Sequence, residues 1–151
     1  MKKTILVVAL LISGFVFQTA TAQLQVSLRA NIGNQPIWGP VGYDRADYYY
    51  MPDIDVFYQI STRQYIYQQR GRWVFARNLP FRYRDFDVYK GYKVVVNERS
   101  PYRHADSYRA KYASYKGRHD QEVIRNSHDS KYFEIKNHPE HSKWNDHNHR
   151  G

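Results

Sequence analysis

The chain has 151 residues and no cysteine, with 23 Lys or Arg against 14 Asp or Glu, a formal net charge of +9. The absence of thiols excludes disulfides, cysteine catalysis, iron–sulfur ligation and lipid attachment behind a bacterial leader. The length supports one domain, and an aromatic content of 17% makes it an aromatic-rich one.

Residues 1–3 are a short basic start, residues 4–17 an apolar run, and Ala20-Thr21-Ala22 a small-residue cleavage site before Gln23. This is the pattern of a secretory signal peptide over 1–22. The run is shorter than the roughly 20 apolar residues that cross a bilayer as a helix, so no transmembrane segment is expected after cleavage. Removal takes away Lys2 and Lys3 and no acid, lowering +9 to +7. Export without disulfides suits a bacterial periplasm or extracellular location better than a small eukaryotic secreted domain. The basic excess is spread along the chain with no block resembling a nucleic-acid arm, so no nucleic acid is expected as a partner. Anionic envelope polymers, lipid head groups or an envelope protein are the expected partners.

Residues 23–30 alternate Leu24, Val26 and Leu28 with polar neighbours, the pattern of a half-buried strand. Residues 31–42 form a connection rich in Gly and Pro, with Ile37 and Trp38 as apolar anchors packing under it. Residues 55–60, 65–68 and 73–76 are rich in β-branched and aromatic side chains and separated by short polar breaks, which predicts an antiparallel β-meander. A two-residue turn at Arg70-Gly71 sets Gln68 opposite Trp73, Tyr67 opposite Val74, Ile66 opposite Phe75 and Tyr65 opposite Ala76. A turn centred on Thr62-Arg63 would set Tyr58 opposite Tyr67 and Ile60 opposite Tyr65. One face then carries Val56, Tyr58, Ile60, Tyr65, Tyr67, Val74 and Ala76, and is the expected core face. The other carries Asp55, Phe57, Gln59, Ile66, Gln68, Trp73 and Phe75, and is either covered by a loop or open for binding.

Leu79-Pro80 ends the third run, and residues 81–89 read as a short helix closed by Gly91. Residues 92–97 read as a further strand of the same sheet. Ser100-Pro101 is a helix start, with serine as cap and proline in the first turn. Ala105, Tyr108, Tyr112 and Tyr115 then make a stripe at helical spacing, with Gly117 at the end. The expected fold is α+β: a small antiparallel β-meander sheet, one packed amphipathic helix, and a disordered C-terminal tail. The expected organisation is a leader at 1–22, a β-rich domain at 23–117 and a flexible His-rich polar tail at 118–151. Within that tail, residues 131–136 are the one segment suited to a short strand.

Three constellations could carry chemistry. His138, His141, Asp146, His147 and His149 offer ligands for zinc, copper or nickel, although no pair has the i, i+4 spacing of a preformed helical site. Asp53/Asp55 and Asp85/Asp87 are paired carboxylates that local hydrogen bonding and ion pairing explain adequately. Arg72 and Arg77 bracket the third run with Trp73 and Phe75, and Phe57 shares their face; alternating cations and rings suit sugars and anionic polymers. The absence of GxSxG, a P-loop, GxGxxG and HExxH leaves enzyme the least supported class, and neither a catalytic residue nor a cofactor is expected.

YYYMPDIDVFYQISTRQYIYQQRGRWVFARNLP followed by YRDFDVYKGYKVVVNE resembles a group of small exported proteins of Gram-negative bacteria with a Tyr-rich β-meander. Their shared pattern is YYYxPD, a Tyr-rich hairpin, a GxW turn and a closing LP. The resemblance covers about residues 47–112 and implies export and a small β-rich domain, with no activity or site attached. The expected function is therefore non-catalytic: an exported envelope or periplasmic protein binding a partner or anionic envelope polymer, with metal binding by the His-rich tail as the alternative.

Overall fold

A computed structural model describes residues 30–148, with side chains as far as Trp144. The leader expected at 1–22 and all but the last residue of the strand expected at 23–30 lie outside them. Five strands form one antiparallel sheet: β1 (Tyr48–Met51), β2 (Val56–Gln59), β3 (Gln64–Gln69), β4 (Arg72–Ala76) and β5 (Val94–Val96), in the order β4-β3-β2-β1-β5. The β3–β4 register is the expected one, from Tyr65↔Ala76 to Gln69↔Arg72. Its turn has positive φ at both Arg70 (50°) and Gly71 (73°), the twist that matches right-handed strands.

The β2–β3 connection differs from expectation. Tyr58 lies opposite Tyr65, not Tyr67, and Ile60 has left the strand. The Ile60 amide donates to the Asp47 carbonyl at 3.0 Å and Arg63 N–H closes onto Ile60 at 3.3 Å, so the loop takes four residues. A shift of two residues preserves the faces, because side chains alternate with period two.

The expected core face holds. Tyr49, Met51, Val56, Tyr58, Ile60 and Tyr67 are buried there, with Tyr65, Val74 and Ala76 beside them. Trp38 and the crossing from β4 to β5, through Leu79, Tyr83 and Phe86, cover it. The second face, with Tyr48, Tyr50, Phe57 and Ile66, is covered by Tyr102, Ala105, Tyr108 and Tyr112. Tyr102 comes from a 3-10 turn at Pro101–His104, Ala105 and Tyr108 from the helix α1 (Ala105–Lys111) and Tyr112 from the residue that ends it, so the sheet is a middle layer. The serine cap expected at Ser100 is not made: Ser100 precedes the 3-10 turn with φ at 53° and its side chain forms no capping bond.

Two expected elements are replaced. Residues 81–89 form only a 3-10 turn at Phe81–Tyr83, because the chain turns back to seat Phe86 against Gly91, where a Cβ would sit 2.2 Å from the ring. The expected disordered tail is folded through the described residues. Ile124, Tyr132 and Ile135 are buried and pack on Ile32, Ile37 and Val41. The 3-10 turns Ile124–Asn126 and Ser130–Tyr132 and the helix α2 (His141–Asn148) carry this segment, in place of the strand read at 131–136. Its apolar residues follow neither helical nor strand period, and non-repetitive turns bury them one at a time.

Candidate binding cleft

The packing of the C-terminal segment on the loop after Asn31 creates a cleft of about 320 Å³ on the core-face side of the sheet. Its walls are Gly33 to Trp38, Tyr58 of β2, Arg63 of the β2–β3 loop, Tyr89, and Ile135 to Asn137. An adjoining hollow of about 400 Å³ shares Tyr58 and Arg63 and adds Thr62, Tyr65 and Arg77. Trp38 meets Tyr58 edge-on at 4.8 Å, and Tyr58 meets Tyr65 at 4.9 Å, so three rings run in a row from cleft to hollow. Such ring pairs hold their geometry through quadrupole attraction as well as area.

Each wall is fixed from behind. Tyr49 donates to Gln35 Oε1 at 2.9 Å, and Gln35 Nε2 donates to the Tyr43 carbonyl at 3.1 Å, which locks the loop. Lys93, 1% exposed, donates through Nζ to the carbonyls of Val88 (2.9 Å) and Tyr89 (3.4 Å), holding the turn that presents Tyr89. Burial lowers the Lys93 ammonium to about 8. The Ile124 and Arg125 amides donate to the carbonyls of Gly39 (2.9 Å) and Ile37 (2.7 Å), binding the C-terminal segment to the loop.

Burial raises Tyr58 and pushes Tyr65 up to about 12, so both rings stay neutral hydrogen-bonding groups at physiological pH. Arg63, Arg77 and Lys136 form no salt bridge among the described residues, and no carboxylate lines the cleft or the hollow. Glu134 packs against the Gly33 backbone beside the cleft. Asn34 and Asn137 add amides. The set offers ring faces, three unpaired cations and neutral donors, and holds no evident nucleophile or paired acid and base.

The site residues expected from sequence are divided by the sheet. Phe57 is fully buried under Tyr50 and Tyr108, at 4.8 and 5.3 Å, and is removed from any binding surface. Trp73 is half-buried, and Phe75 is 46% exposed; both rest edge-on against Tyr102. The cover on that face is α1 and its 3-10 turn rather than a loop. Arg72 lines a separate hollow with Gln69, Arg70 and Val74, while Arg77 borders the cleft side.

The expected metal ligands do not converge among the described residues, where no group of three His, Asp or Glu is placed to hold an ion. His138 is 4% exposed, with Nε2 donating to the Ile124 carbonyl at 3.0 Å and Nδ1 accepting from the Glu140 amide at 3.1 Å. His141 Nδ1 bonds the Phe133 carbonyl at 2.6 Å. The side chains of Asp146 and His147, and all of His149, lie outside the described residues. Asp53 accepts from the Gly117 amide at 2.6 Å, and Asp55 accepts from Tyr50 (3.1 Å) and Arg109 (2.7 Å). Asp85 pairs with Arg84, and Asp87 with Lys90 and the Tyr89 amide.

Sequence reasoning missed Arg63, Tyr89, Lys136 and the two asparagines. The first sits in a turn with positive φ (55°), and the cleft's far wall comes from the segment read as a tail. No protein-family model, curated protein or solved structure matches the chain.

Proposed function

We propose that this is a non-catalytic, exported protein of the bacterial envelope or periplasm that binds an acidic polysaccharide in the Trp38/Tyr58/Tyr89 cleft. The observation that supports this is the row of rings flanked by Arg63, Arg77 and Lys136, three cations without carboxylate partners in a lining free of acids. Sugar rings stack their apolar faces on aromatic side chains, and guanidinium groups pair with carboxylates in bidentate fashion. The adjoining hollow extends the cleft along one direction, as a polymer requires. The apolar run and cleavage site at the chain's start support export.

Calorimetry with polygalacturonate and with neutral dextran tests the reading. Binding of the acidic polymer alone, weakening with salt and lost in an Arg63→Ala, Lys136→Ala double variant, is the expected result. Equal binding of both polymers, or full binding by the double variant, would overturn it.

A further inference from the structure

The exposed aromatic residues on the opposite side of the sheet belong to a free edge. β4 is the outermost strand, and β5 closes the other end with only three residues. The β3–β4 hairpin has a two-residue loop, so it closes on Gln69↔Arg72 as a hydrogen-bonded pair. Pairs alternate along an antiparallel ladder, which makes Tyr67↔Val74 and Tyr65↔Ala76 the next bonded pairs. The amides and carbonyls of Trp73 and Phe75 therefore point away from β3. No hydrogen bond to them exists among the described residues.

Edges of this kind are ordinarily blunted by proline, a bulge, a covering segment or charged side chains, and the one charge within β4 is Arg72 at its first residue. β4 has five residues in unbroken register, no proline and no bulge. We propose that this edge accepts an extended acidic peptide segment of a partner protein as a sixth strand. The backbone supplies donor and acceptor in turn from Trp73 and Phe75, and a peptide main chain answers that alternation where a polysaccharide does not. Phe75 offers an exposed ring on one face. On the other, Val74 lines a hollow of about 610 Å³ with Gln69, Arg70 and Arg72.

Charge selects the occupant. Arg70 and Arg72 stand at one end of the strand and Arg77 beyond the other, and none forms a salt bridge among the described residues. Antiparallel pairing of two copies about Val74 would set Arg72 of one opposite Ala76 of the other and Gly71 opposite Arg77, so Arg70 and Arg72 of each copy flank the position of its mate's Arg77, and this gathering of like charge opposes self-pairing. An acidic strand meets the opposite sign at both ends. The edge shares Arg77 with the hollow beside the cleft, but its open backbone groups, Arg70 and Arg72 belong to β4 and its turn alone, so this inference does not rest on the polysaccharide reading.

The test uses the whole protein and a synthetic peptide of alternating Glu and Val, followed by calorimetry and amide hydrogen exchange. The expected result is binding that slows exchange at Trp73 and Phe75, falls at least tenfold when the peptide amides facing the edge are N-methylated, and is lost with a Lys/Val peptide. Phe75→Pro removes an outward amide and is expected to weaken binding similarly, and Arg72→Glu to weaken it while admitting the Lys/Val peptide. If Phe75→Pro does not fold, the N-methylated peptide decides alone. No binding, binding indifferent to N-methylation, or peptide binding lost in the Arg63→Ala, Lys136→Ala variant would each overturn the proposal.

Discussion

The Tyr132 hydroxyl accepts a 2.7 Å hydrogen bond from the Gly42 amide, joining residues ninety positions apart. Tyr132 is 1% exposed and Ile124 is fully buried beside it in the same cluster. The bond ties the loop that forms one cleft wall to the segment that forms the other.

Tyr132→Phe leaves the Gly42 amide without that acceptor, and a loss of about 1 kcal/mol is expected. Ile124→Ala creates a cavity and is expected to cost about 2–5 kcal/mol. In both variants hydrogen exchange should quicken over residues 32–43 before it changes in the sheet; uniform quickening would show that the C-terminal segment is part of one cooperative core.

Gly39 is needed for space. A Cβ there would lie 2.3 Å from the Tyr49 hydroxyl, on a ring fixed by Trp38 and Tyr58. Gly39→Ala is expected to destabilise by about 1–3 kcal/mol or more, as overpacking does. A Gly39→Ala, Tyr49→Phe pair should recover part of the loss, read from denaturant midpoints.

The buried Lys93 gives stability an alkaline signature. Its ammonium is lowered by burial from 10.5 to about 8, so between those values the unfolded chain holds a proton that the folded protein has released. Stability therefore rises with pH across that window, and below it the charged form costs on the order of 3 kcal/mol. Tyrosines act in the opposite sense. Burial pushes Tyr65 up to about 12 and raises Tyr49 and Tyr50, so above pH 10 the unfolded chain loses protons that the folded protein keeps. Denaturant midpoints should climb from about pH 8, peak near about pH 10 and then fall. Lys93→Met should abolish the climb and leave the fall.

Asp55 tests how α1 is held to the sheet. It occupies the left-handed region, with φ at 53°, while accepting from the Tyr50 hydroxyl and the Arg109 guanidinium. Asparagine tolerates that backbone, so Asp55→Asn removes charge without adding strain. Because the ion pair is about one-third exposed, the expected loss is modest, about 1 kcal/mol, and should shrink in high salt. A salt-independent loss would place the effect in the hydrogen bond to Tyr50.

The meander was legible because its signals are local. Gly71 fixed the second hairpin, and the alternation of Tyr58, Tyr65, Tyr67, Val74 and Ala76 marked the core face even where the pairing was two residues off. The tyrosine stripe from Ala105 to Tyr112 announced a docked helix, and the structure places it on the face whose covering was open. β1 was harder to see, since Tyr48 to Met51 is buried on both sides and shows no alternation. The cleft was largely hidden, because its walls meet through contacts far apart in sequence. Ile124, Tyr132 and Ile135 are too few and too irregularly spaced to announce a folded segment, and Lys136 and Asn137 were read as solvated with them. Trp38 was legible as an anchor, but its neighbours were not.

The closure between Gly42 and Tyr132 also sets an order of events. A loop near the front of the described chain needs a partner near its back, so the cleft cannot be completed before residues 124–137 are in place. Contacts of such long sequence separation are slow to form. For a chain that is threaded through a membrane before it folds, as the proposed export requires, binding competence then waits until residues 124–137 have emerged.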